Sequence, residues 1–197
     1  MTHNAIISSL TVKNESVRAP GHDQVLSSIK LAADTGIFRK GLIVVADPDG
    51  NGIPCSDLSS VIGTGDGTAK AFSGVLSGKP LEPGSVAVTD GTEIFTDDGF
   101  GNLIGDAGGS GTVIYKTGAV SVTFNAAVAN AADVTATAIG EIKGVLDRDV
   151  DTAVSADGVV IIHGTVKETM LCKGADSGTA AVGTDFELLN RRGIYPV

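Results

Sequence analysis

Residues 140–166 read GEIKGVLDRDVDTAVSADGVVIIHGTV, and this stretch decides the fold. EIKGVLDRDV is a strand running into a turn of acids. VVIIHGTV is a continuous apolar strand. A strand of this kind needs apolar cover, which the rest of the chain has to supply.

The composition fits that demand. Of 197 residues, 42% are hydrophobic, enough for a packed core without metal or disulfide. Twenty-seven glycines, only six Phe and two Tyr, and much Ala, Val and Thr describe many short strands joined by tight turns. A mainly β protein is expected. The net charge of −9 argues against a nucleic-acid partner, because phosphate contacts need clustered Lys and Arg. Cys55 and Cys172 stand in no metal or redox spacing and read as two reduced, partly buried thiols. The first residues lack a basic segment followed by an apolar core, and no apolar run approaches about 18 residues. Neither a classical secretory signal nor a membrane contact is expected.

Working outward, the segment 25–60 is strand-like: IKLA alternates, Thr35-Gly36 turns, LIVVA is a buried run and DPDGNG is a strong turn. It predicts a hairpin-rich unit. Residues 1–24 are polar, show no sustained period and close on Pro20-Gly21, so they read as an arm without structure of its own. Ile6, Ile7, Leu10, Val12 and Val17 are its apolar anchors, spaced to add a strand to the sheet edge of a partner.

Composition shifts near Val61. Five candidate strands follow, SVAVT, TEIFT, GTVIYK, AVSVTFN and DVTATAI, with Asp98-Gly99 and Thr117-Gly118 as tight connections. Val120, Val122 and Phe124 alternate with Ser121 and Thr123, placing one face in a core. Residues 61–139 therefore predict a self-contained antiparallel β-sandwich. Near the end, Thr184 as N-cap with Glu187 three positions on, Asp185 in the first turn, Arg191 and Arg192 in the last and Gly193 beyond predict a helix over 185–192.

These residues carry a resemblance. GIFRKGLIVVADPDGNGIP (36–54), GEIKGVLDRDVDT with VVIIHGTV, and the ending FELLNRRGIYPV are similar to the lambda-type bacteriophage head decoration family. The match covers 25–60 and 140–197. Residues 61–139 depart from it and resemble a β module that recurs in phage tail and virion-surface proteins. The resemblance implies a small β-barrel or β-tulip-like decoration domain with a short C-terminal helix, interrupted by the inserted sandwich. Insertion costs little where the guest's termini lie close. It further implies a homotrimer on the outer surface of the expanded capsid, with the major capsid protein as partner and the 1–24 arm reaching onto neighbouring shell subunits. A structural virion protein of this kind needs no catalytic residue, metal or cofactor. The alternative is a tail or baseplate adaptor whose inserted module binds a host-surface ligand.

Asp47, Asp49, Asn51 and Gly52 match the first half of a calcium loop, but the twelfth position is Leu58, so a hairpin turn is expected. Gly63-Thr-Gly-Asp-Gly lacks the Lys-Ser/Thr pair of a phosphate cradle and reads as a flexible domain junction. His163 has no converging partners and reads as a hydrogen-bonded interface or core histidine; His3 and His22 fall in the arm. Asp147, Asp149 and Asp151 read as a solvated turn. No Gly-x-Ser-x-Gly elbow occurs. Phe72, Phe95, Phe100, Tyr115 and Phe124 are expected mainly in the core.

Overall fold

The computed structural model describes residues 16–175 and 177–197. The strands β1 (Val25–Lys30), β2 (Ile37–Phe38), β3 (Ile43–Ala46) and β4 (Gly52–Pro54) come first. Next are β5 (Leu58–Thr64), β6 (Ala71–Val75), β7 (Ala87–Thr89), β8 (Ile94–Asp97), β9 (Asn102–Gly105), β10 (Ser110–Ile114), β11 (Ala119–Thr123) and β12 (Asp133–Ala138). The last part holds β13 (Ile142–Leu146), β14 (Val150–Asp151), β15 (Asp157–Val166), β16 (Cys172–Lys173), β17 (Thr179–Ala180), the helix α1 (Gly183–Arg191) and β18 (Ile194–Pro196). The protein is mainly β with one short helix near its C-terminal end, as composition and turn density predict.

The apolar run at 159–166 forms most of β15, which lies inside a six-stranded sheet ordered β1, β15, β13, β3, β4, with β18 parallel to its last residues. Neighbouring residues of a strand face opposite sides. Here both sides are covered. Ile43, Val45, Val145 and Ile161 enter one core with Val17, Leu189 and Ile194, while Leu42, Val44, Leu146 and Val160 enter another with Leu31, Phe38 and Val150. Two-sided burial explains why LIVVA and VVII are continuous apolar runs in a largely antiparallel sheet, where one-sided strands alternate. The turn at 47–52 closes β3 on β4 with Val45 opposite Ile53. β1, in contrast, does not pair with β3. It lies on the far side of β15, Ser28 opposite Val159, so the stretch expected as one hairpin-rich unit is divided between two edges of the sheet. Turn residues specify the local pairing; burial of β15 specifies the distant one.

Strands β5–β12 make one antiparallel sheet in the order β5, β12, β7, β8, β9, β10, β11, β6. It curls until its edges nearly meet, with Phe72 over Gly63 and Ile62 over Gly74, where a larger residue than glycine would collide. Opposite walls then face each other across Leu76, Val88, Phe95, Leu103, Val122, Phe124 and Val134, as the leaves of a sandwich do. Phe95 and Phe124 pack edge to face at 4.9 Å. The sheet starts at Leu58, slightly before the composition changes. Gly63–Gly67, expected as a flexible junction, is instead the end of β5 and its turn, closed by Asp66 accepting the N–H groups of Thr68 and Ala69, both at 2.7 Å. The crossings between the two sheets lie at 55–57 and 139–141.

A buried carboxylate anchors the second crossing to the C-terminal end of the chain. Glu82 accepts the Ile142 N–H at 2.7 Å and both Nε and Nη2 of Arg192 at 2.8 Å each. The neighbouring Arg191 guanidinium lies over Gly84, whose φ of 83° and missing side chain leave room for it. The helix start differs from expectation. Its N-cap is Val182, whose N–H donates to the Asp185 carboxylate at 2.8 Å, while Glu187 stays exposed. Asp185 is favoured because Lys173 Nζ also reaches it, at 3.3 Å, in a buried position. The helix end is as predicted, with Arg191 in the last turn and Gly193 at φ 78°.

Arg192→Met should leave the Glu82 carboxylate buried and nearly unpaired, at a cost of about 3 kcal/mol. Urea unfolding should show the midpoint fall, and Glu82→Gln added to that variant should recover part of the loss.

Candidate functional site

The N-terminal side of the described chain is a strap over 17–24, docked on the end of β15. Lys167 N–H donates to the Val17 carbonyl at 2.8 Å and Ala19 N–H to the Thr165 carbonyl at 3.1 Å. The Thr165 hydroxyl accepts the His22 N–H at 2.7 Å, and Gln24 Nε2 donates to the carbonyls of Ala19 and Thr165, both at 2.9 Å. Arg18 forks onto Asp147 through Nε at 2.8 Å and Nη2 at 2.6 Å. That pairing holds the Asp147 carboxyl below its ordinary value of 3.8.

Of the expected arm anchors, Ile6, Ile7, Leu10 and Val12 lie outside the described residues. Val17 is corrected: it is 0% exposed and packs in the core with Val166 and Ile194, because the main-chain bonds to 165–167 turn it inward. A partner-binding arm can therefore extend only over residues before Val17; from there on the chain is part of the domain.

Beside the strap, the rings of His22, His163 and Tyr195 meet with centroids 5.1 to 6.3 Å apart. His163 is exposed, not a core residue, because it sits where β15 passes from β1 to β18. Val25, Leu26 and Ile162 are exposed around it, and β1 is the edge of its sheet. An uncapped edge with apolar side chains is suited to pairing with an extended segment.

The other candidate groups are spoken for locally. Asp47 accepts the N–H groups of Asp49 and Asn51 at 2.9 and 2.7 Å and Nδ2 of Asn51 at 3.1 Å, so its carboxylate organises its own hairpin turn. The three acids expected in a solvated turn are more engaged than that. Asp147 anchors the strap, Asp149 binds Arg39 at 3.1 Å and the Lys40 N–H at 2.8 Å, and Asp151 caps Ala153 at 3.0 Å. Among the described residues, no group of three or more His, Cys, Asp or Glu is placed to hold a metal ion. Cys55 is buried, and burial, helped by Asp185, pushes its thiol up to about 12. Burial alone would lower the adjacent Lys173 ammonium, but Asp57 at 2.9 Å and Asp185 keep it charged. Phe100 departs from the expected core placement: at 89% exposed it tops the β8–β9 turn beside a hollow of about 460 Å³ lined by Pro83, Arg191 and Arg192.

No family model matches the chain. Neither a curated protein nor a solved structure matches it. The site therefore stands on its geometry. Arg18, Gln24 and Thr165, which fix the strap, carried no signal in the sequence, since polar residues far apart along the chain show no periodicity to mark them, and Asp147 stood out only as one of three alternating acids.

The Asp147 pairing contributes stability above pH 3.8 and loses it as pH falls through the lowered carboxyl value. Exchange of the Lys167 amide, corrected for intrinsic rate, should stay slow at pH 5 and accelerate only below 3.8; Asp147→Asn should already be fast at pH 7. For Cys55, a thiol reagent at pH 8 should label it only on unfolding, whereas half-buried Cys172 should react in the native protein at a reduced rate.

Proposed function

We propose that the protein is a structural virion component that binds the outside of an expanded phage capsid as trimers and ties neighbouring capsomers against internal DNA pressure. One observation carries the reading. The separate stretches that resemble the head decoration family converge in space: 36–54 supplies β3 and β4, 140–166 supplies β13 and β15, and these pair as neighbours. The ending FELLNRRGIYPV adds α1 and β18 to the same unit. Residues 58–138 interrupt that unit as a knob projecting from the shell.

The strap gives the reading a mechanism. It fixes the root of the segment before Val17 to a rigid strand, so three such segments leave one trimer in set directions. Each weak strand addition to a shell subunit then gains from the others, by about 10²-fold or more in avidity. The work is mechanical, with the major capsid protein as partner, and no cofactor takes part. A second reading, the tail or baseplate adaptor, draws on the exposed Phe100 beside Arg191, a feature suited to gripping a ligand at the knob.

Cosedimentation with expanded and unexpanded heads separates these. The full chain should saturate expanded heads at three copies per threefold position and ignore unexpanded ones. A chain lacking residues 1–15, which keeps Val17 in its core, should stay folded and lose that binding. No binding of the full chain to either form would overturn the clamp and favour the adaptor.

A further inference from the structure

The walls of the β5–β12 barrel are almost free of charge in a chain of net charge −9. Within those strands only Asp97 and Asp133 are charged; Asp97 is buried and Asp133 stands at the very start of β12. One side of the barrel is especially regular. Ile114, Ala119 and Val75 form a row across β10, β11 and β6, and Thr112, Ser121 and Ser73 form the next. Ser110, Thr123 and Ala71 form a third, continued by Ile104 on β9. Ile104, Ile114 and Val75 are 60%, 58% and 59% exposed. Between them, Ser73, Gly74, Ala119 and Ser121 are small enough to leave a shallow hollow of about 340 Å³. These rows offer no cation for an anionic ligand and no ring for a sugar to stack on.

We propose that this wall is a self-association surface whose partner is the same wall of a second copy. Charge selects the partner. Two acidic chains repel through faces that carry their carboxylates, and this wall lets them approach without desolvating an ion. Shape agrees with charge. A twofold axis along β10 lays Ile104 of each copy over Thr123 on β11 of the other, so the contact is the same from both sides. Four strands about 4.8 Å apart and about 15 Å long give a face of roughly 290 Å². That is under half of the ~800 Å² per partner in a standard stable interface. Association through the wall is accordingly weak in dilute solution, and it strengthens where copies are held close together.

Sedimentation equilibrium of the full chain from micromolar to millimolar concentration tests the proposal. The weight-average mass should rise with concentration to twice that of the smallest species, whether that species is a monomer or a trimer. Ser121→Lys puts a cation in the middle of the wall and should hold the mass at the smallest species, with an unchanged unfolding midpoint. Thr137→Lys, exposed on β12 across the barrel from β10, should associate like the original chain. A mass that stays flat for the original chain overturns the proposal. So does a Ser121→Lys chain that still doubles, or a Thr137→Lys chain that loses doubling as completely as Ser121→Lys.

Discussion

The burial of β15 on both faces is the constraint on which the rest of the first sheet depends. An antiparallel strand with two apolar faces must find cover twice, and one continuous stretch of chain cannot provide it. The chain therefore sends β1 to one side of β15 and β13 to the other, lays the strap and β18 along its last residues, and packs α1 against one of the two cores. Removing any of these would expose main-chain groups or aliphatic surface that β15 cannot satisfy alone. The same demand explains Val17. Its side chain completes the core beside Val166 and Ile194.

Much of this was legible in the sequence because it is written locally. The runs LIVVA and VVIIHGTV, the DPDGNG turn and the alternation of Val120, Ser121, Val122, Thr123 and Phe124 each fix an element by its own pattern. The helix was legible too, although its acidic cap was misplaced, since choosing between Glu187 and Asp185 depends on Lys173, a residue outside the helix. What stayed hidden is non-local. β5, β6 and β9 are rich in Ser and Gly and show little apolar contrast, so they look like linker until the barrel closes around them. The partner of β1, the exposure of His163 and the strap's bonds to Thr165 and Asp147 depend on which strands become neighbours, and no short stretch of sequence encodes that.

The two sheets also solve the problem of buried polar groups differently. In the barrel, carboxylates serve turns: Glu93 accepts the N–H groups of Gly109 and Asn125, and Asp97 accepts those of Gly84 and Gly99 and the Tyr115 hydroxyl. In the first sheet and at the crossings, carboxylates serve cations, as with Asp147 and Arg18, Asp185 and Lys173, or Glu82 and Arg192. Anion-to-amide bonds organise a turn from within, whereas ion pairs tie together segments that are remote in the chain. The division follows the connectivity: the barrel is a run of short connections, and the first sheet is assembled from two separated lengths of chain.

That division makes ionic strength a selective handle on the molecule. Among the described residues, every ion pair lies in the first sheet, its loops or the crossings, and none has both partners inside β5–β12. Added salt screens the exposed pairs and leaves a wall of Ser, Thr, Ile and Val untouched, or tightens its apolar burial. The two halves of the protein thus answer to different solvents, and a concentrated ionic medium shifts the weakest point of the chain toward the strap and the crossings while the barrel holds.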